Sequence, residues 1–351
     1  MKKCIYLKKT EPEVTFKSEE HIIPAGIGGI RKLNNGMVSD QFNTGIFSSI
    51  ELDFMRNSIV ALPRQFQGPG KRGALTEKKA TKSNIHIMSK SDEFDDVSLG
   101  YIKLGKPHQI PQLKITNQSN IQIIFDQYDG DYTNQLVKFI EILKTFNGRY
   151  NTLVESNIPM NQILLGNYKG KWYLGIRDEQ TIPPLVDIIS KLINNTSILS
   201  EQPKYDKVQV ISCQHMEFDM EKFYRVCAKI AFNFLASSHG SDFVLNEQFD
   251  PIRNWIVNGG DNKFINLINK DKKIFEYNLF PDEAHKIFIT KDQNSLMGLL
   301  SLYGGVFEIS ILLCDNFSES FYIDGYICDW MNKKEYTLIE YLKTLNYEKY
   351  L

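Results

Sequence analysis

The sequence predicts an α+β protein, with a small N-terminal strand–strand–helix unit followed by a larger mixed α+β region that contains an antiparallel meander. Three observations carry that prediction. Between residues 14 and 56 a glycine-rich turn separates β-type residues from a stretch with apolar side chains every fourth position. Phe223, Val226, Ile230 and Phe234 make an apolar stripe at helical spacing. Between His285 and Leu313, three short apolar runs are separated by Asp292-Gln293-Asn294 and by Gly304-Gly305, the pattern of strands joined by turns.

The elements follow in order. Val14-Thr15-Phe16 leads as a strand into residue 21, residues 26–36 form turns, and Met37-Val38 is a short second strand. Ser39 or Asp40 caps a helix over 41–56, whose buried face is Phe42, Ile46, Ile50 and Phe54. Pro and Gly mark a basic loop at 67–73. Strands are expected at 85–88, 121–125, 172–176 and 207–212. Helices are expected at 135–146, 184–193, 221–235, 250–257 (with Pro251 near its start) and 337–345. The expected domains are 1–82 and 83–351.

The 351 residues are 42% hydrophobic and 24% charged, ordinary for a globular protein. No apolar run approaches the roughly 20 residues of a membrane-spanning helix. The start of the chain has no apolar stretch of signal-peptide length, so a cytoplasmic location without membrane contact is expected. Cys4, Cys213, Cys227, Cys314 and Cys328 are scattered and read as reduced thiols. Cys213-Gln214-His215 and His86, His108, His239 and His285 have no metal-ligand spacing and read as packing or surface residues. The net charge of −1 hides an asymmetry. Residues 1–82 hold 14 Lys/Arg against 8 Asp/Glu, a net of +6, and the rest holds 27 against 34, a net of −7. A basic unit beside an acidic one suits a binder of the phosphate backbone, which points to nucleic acid as partner.

The chemistry-bearing segment is Glu20-His21-Ile22-Ile23-Pro24, followed by Gly28-Gly29 and Asn43. An imidazole titrates near working pH and suits a general base, while a carboxylate and an amide oxygen are hard donors for a divalent cation. Neighbours on a strand point to opposite faces, so Glu20 and His21 share one site only if the strand ends or bulges there.

These residues, with Gly45 and Glu51, resemble the HNH endonucleases with the ββα-metal (His-Me finger) site, in the bacterial branch where Glu-His-Ile-Ile-Pro precedes a Gly-Gly turn and a Cys-x-x-Cys-Asn helix start. The resemblance covers residues 1–75. It implies a metal-dependent endonuclease, with His21 as the base that activates water and Asn34 as the middle asparagine that positions it; Asn35 is a near-equal alternative. It implies Glu20 and Asn43 as ligands of Mg²⁺ or Mn²⁺. Two zinc-binding Cys-x-x-Cys pairs are usual in this branch. Here those positions hold Cys4 with Leu7 and Ser39 with Phe42, so no structural zinc is expected, and Leu7 is expected to pack on Phe42 in its place. Lys32, Arg56, Arg64, Lys71, Arg72, Lys78 and Lys79 are the expected contacts to nucleic acid, DNA favoured. Two alternatives accompany the nuclease reading. One is an inactive nucleic-acid-binding or regulatory protein on the same scaffold. The other is a nuclease of a restriction or phage-defence system, activated by a partner or ligand through residues 83–351.

Overall fold

A computed structural model describes the chain except residues 1, 90–95, 117–119, 129, 157, 195–210, 213–217, 269–278 and 346–351. The architecture is mixed α+β, as the sequence predicts. The chain divides into two compact units, one made of Met1–Thr81 with Met216–Leu351, the other of Lys82–His215. Residues 83–351 are therefore not one body: the N-terminal element shares its core with the last third of the chain. The physical reason is apolar burial. Residues such as Ile5, Phe42 and Phe54 belong to the same buried cluster as Phe223, Phe232 and Ile311.

The N-terminal element is a narrow ribbon and a helix. The expected strands at 14–16 and 37–38 do not form. The Asp40 carboxylate takes the backbone N–H groups of Lys17 and Ser18 that a ladder would use, and the Met37 carbonyl accepts from Ile5 N–H. Two-strand pairing lies instead at an isolated antiparallel bridge between His21 and Lys32, flanked by Ile22 N–H to Arg31 O (3.0 Å) and Leu33 N–H to Glu20 O (2.8 Å). The helix expected at 41–56 begins as a π-helical segment, Gln41–Phe47, and continues as α1, Ser48–Asn57. The wider π turn aligns residues five apart. Phe42 and Phe47 are accordingly buried and stacked (5.0 Å), while Ile46 is only half-buried. A short helix, α2 (Ala61–Phe66), follows.

The unit Lys82–His215 holds two sheets. One has the order β3-β2-β1-β9, from His86–Ser89 (β1), Val97–Lys103 (β2), Lys106–Gln109 (β3) and Ile211–Ser212 (β9). The other has the order β5-β4-β7-β8-β6, from Gln112–Thr116 (β4), Asn120–Ile124 (β5), Asn151–Val154 (β6), Gln162–Tyr168 (β7) and Lys171–Ile176 (β8). Helices α3 (Tyr132–Leu143) and α4 (Leu185–Asn194) bury Phe139 and Ile189 in the core of this second sheet. Most of the strand expected at 207–212 lies outside the described residues, as do Cys213 and His215. His108 is buried and hydrogen-bonded to Asp126 (2.7 Å), a packing role.

The second part of the composite unit opens with α5 (Met220–His239), capped by Asp219 on Lys222 N–H (3.1 Å) and ended by Gly240 at φ 85°. Nearly every residue from Phe223 to Ala236 is buried, because α5 packs on α1 along one side and on the sheet along another. Helices α6 (Ser241–Val244) and α7 (Asp250–Asn258) follow. The six-stranded sheet has the order β10-β13-β12-β11-β14-β15, all antiparallel. The expected meander is its centre: β11 (His285–Asp292), β12 (Ser295–Leu302) and β13 (Phe307–Cys314). The edges are β10 (Ile265–Leu267) and β15 (Lys334–Thr337), with β14 (Asp324–Asp329) between β11 and β15, and α8 (Leu338–Leu342) closes the unit behind a capping box on Thr337 and Glu340. No helix among the described residues is long and apolar enough to cross a membrane.

Candidate functional site

His21 sits on the ribbon, half-buried, with its backbone carbonyl accepting from the Asn233 amide (2.9 Å). Burial first, and the nearby Lys32 charge second, lower its pKa against the opposing pull of Glu335 and Glu51. The imidazole is therefore neutral at neutral pH and able to take a proton.

Its neighbour Glu20 turns the other way, as the alternation of an extended chain requires. Its side chain is buried and accepts from Lys229 Nζ at 2.5 Å and from Asn233 Nδ2 at 3.3 Å, both on α5. Lys229 also bonds the carboxylate of Glu51, which α1 supplies. Burial opposes the Lys229 charge, but the two carboxylates outweigh it and its pKa is raised. Tyr6 completes the cluster by donating to Asn233 Oδ1 (2.5 Å); burial, with the Glu20 charge second, holds its hydroxyl in the protonated form.

Asn43 lies in the π segment, and its amide turns back to the ribbon, donating to Ser18 Oγ (3.4 Å) and Glu19 O (3.5 Å). The side chains of Glu20 and Asn43 thus have different partners. Among the described residues no group of three or more His, Cys, Asp or Glu is placed to hold a metal ion. In this arrangement the residues do not fit the divalent cation that the sequence resemblance implies, because the carboxylate expected to bind it is already paired with an ammonium. The expected ligand pair Glu20 and Asn43 is corrected accordingly. Asn34 is exposed in the turn after the ribbon, where its carbonyl accepts from Met37 N–H (3.2 Å); Asn35 beside it is exposed too. Neither is hydrogen-bonded to His21.

The corner of Cys4, Leu7, Ser39 and Phe42 is packed by protein groups. Cys4 is buried, and its sulfur accepts from Leu7 N–H (3.4 Å), Ser39 N–H (3.5 Å) and Ser39 Oγ–H (3.3 Å). Phe42 stacks on Tyr6 at 3.9 Å, so the ring it meets is the neighbour of Leu7; Leu7 itself is partly buried against the same core.

The glycine turn is held from four sides. Arg64 donates to Gly26 O (3.0 Å), and His285 Nε2 bonds Ile27 O (2.9 Å). The Glu335 carboxylate accepts from Ile30 N–H (3.0 Å) and Arg31 N–H. Gly28, at φ 106°, lies so close to Trp330 that a β-carbon there would come within 2.4 Å of Trp330 Cβ. Arg64 is buried and also donates to Met55 O (2.5 Å), so it is a structural residue and not a contact to nucleic acid. Lys71, Arg72, Lys78 and Lys79 are exposed on two short 3₁₀ turns, the first of which lies against Ala25–Ile27. Arg56 is exposed at the end of α1, and exposed Lys32 is ion-paired with Glu19.

The residues that sequence reasoning missed are Lys229, Asn233 and Glu335, while His285, expected as a packing or surface residue, is buried and packed. A signal for the first two exists: they are four apart, on one helix face, inside the otherwise apolar run 226–236. No family model, curated protein or solved structure matches this chain.

Proposed function

We propose that this chain is a nucleic-acid phosphodiesterase of the HNH kind, DNA favoured, with His21 as general base. The observation that carries the reading is the neutral, half-buried His21 imidazole on a two-strand ribbon, followed by a glycine turn that packs against an exposed basic loop. Lys71, Arg72, Lys78 and Lys79 supply sequence-independent grip on phosphates, and His21 accepts the proton of an attacking water. The resemblance implies Mg²⁺ or Mn²⁺ as cofactor. No step is assigned to the ion, since Glu20 is committed to Lys229. A second reading, a protein that binds nucleic acid without cutting it, is favoured by that same ion cluster.

The test uses supercoiled DNA, linear duplex, single-stranded DNA and RNA, each with and without Mn²⁺. His21→Ala is expected to lower cleavage by about 10²–10⁴-fold with binding nearly unchanged. Cleavage by the variant at the unchanged rate sinks the proposed role of His21. Salt-dependent binding with no cutting by either the unaltered protein or its Lys229→Met variant selects the second reading.

A further inference from the structure

We propose that Lys229 is a built-in cation that occupies the Glu20–Glu51 pair and keeps divalent cations out. The proposal deepens the nuclease reading and rests on it for its meaning as regulation, while its metal-binding core stands on geometry. A single nitrogen, Lys229 Nζ, meets a carboxylate from the ribbon and a carboxylate from α1. The ammonium is 1% exposed and Glu20 is 6% exposed, so the charges face one another with little water between them. Two carboxylates carry one charge more than the ammonium neutralises. A divalent ion would balance the pair, yet it must displace an ammonium tethered to a fully packed helix.

The other groups facing Nζ are neutral. Asn233 bonds the same Glu20 oxygen, Tyr6 bonds Asn233, and the Phe47 ring lies 4.8 Å from Nζ. Nothing else charged is hydrogen-bonded to the cluster among the described residues. A purely structural ion cluster and a cation lock differ in one respect. Only the lock predicts that deleting the ammonium leaves a pocket that a free divalent ion fills.

Three full-length proteins test this by Mn²⁺ binding and thermal unfolding: the unaltered chain, Lys229→Met, and the neutral triple variant Glu20→Gln/Glu51→Gln/Lys229→Met. Lys229→Met is expected to bind one Mn²⁺ about tenfold or more tighter than the unaltered chain, with a melting temperature that climbs as Mn²⁺ is added. The unaltered chain and the triple variant should show neither effect. Should Lys229→Met fail to fold alone, refolding from urea in Mn²⁺ is expected to recover it. Failure to recover while the triple variant folds overturns the proposal, as does a Lys229→Met protein indifferent to Mn²⁺. Metal binding by Lys229→Met without any DNA cleavage upholds the lock and counts against the nuclease reading alone.

Discussion

The corner around Cys4 and the glycine turn belong to the same N-terminal element, but they are held in different ways. At the corner the bonds to the Cys4 sulfur come from Leu7 and Ser39 of that same element, and Tyr6, Phe42 and Phe47 stack beside it, with Tyr6 also reaching Asn233 and Phe232 of α5. The turn is closed mostly from far away, by His285, Trp330 and Glu335 of the six-stranded sheet. The first is held by aromatic packing and weak bonds to sulfur. The second carries backbone groups buried away from water, and these need partners whatever the distance along the chain. The part of the motif nearest His21 therefore depends on the part of the protein furthest from it in sequence.

The largest expected effect that sharpens this contrast is a pH dependence at the turn. His285 is fully buried, and burial depresses its pKa to about 4. Its Nδ1 accepts from Tyr303 N–H (3.0 Å) and Nε2 faces Ile27 O, so protonation would set two donors against each other. The unfolded chain binds this proton near pH 6.5, whereas the folded chain resists it. The contribution is full above about pH 6.5, declines as pH falls toward 4 and is flat below, amounting to about 3 kcal/mol. Urea unfolding across this window checks it. His285→Gln, whose amide can both donate and accept, should flatten the slope; an unchanged slope would remove His285 as the anchor.

A smaller effect follows from Glu335→Ala, which leaves the Ile30 and Arg31 amides without their carboxylate. The expected loss is about 2 kcal/mol, with faster hydrogen exchange at those two amides. Exchange that stays slow would mean that Arg64 and His285 hold the turn unaided. The smallest effect belongs to the corner: Ser39→Ala removes one of three donors to the Cys4 sulfur and should cost about 0.5–1 kcal/mol. A loss there larger than at Glu335 would reverse the contrast between local and distant support.

Much of this architecture was legible in the chain. The stripe Phe223 to Phe234 marks α5, and the runs between His285 and Leu313 mark the meander, because side-chain periodicity reports which face is buried. The helix after Asp40 was legible in extent but not in pitch, since Phe42 and Phe47 align only through the π turn. The strands expected at 14–16 and 37–38 do not form: Thr15 N–H goes to the Gln41 side chain, the Asp40 carboxylate takes the N–H groups of Lys17 and Ser18, and Met37 bonds Asn34 and Ile5. At the candidate site the residue types were legible and their pairing was not. Glu20 reads as a metal ligand beside a histidine, and it becomes the partner of Lys229, 209 residues away. Arg64 reads as a phosphate contact and becomes a tie for the Gly26 carbonyl.

By itself the sequence determined the α+β class, the main helices, the central strands and the position of one histidine at a turn-bounded, basic end of the chain. These depend on local propensity and on periodicity, which a short window contains. Tertiary structure alone decided that residues 1–81 and 216–351 form one unit, and that an ammonium from α5 stands between Glu20 and Glu51. The physical reason is that a buried charge must find an opposite charge in space, and distance along the chain does not say where that partner will be.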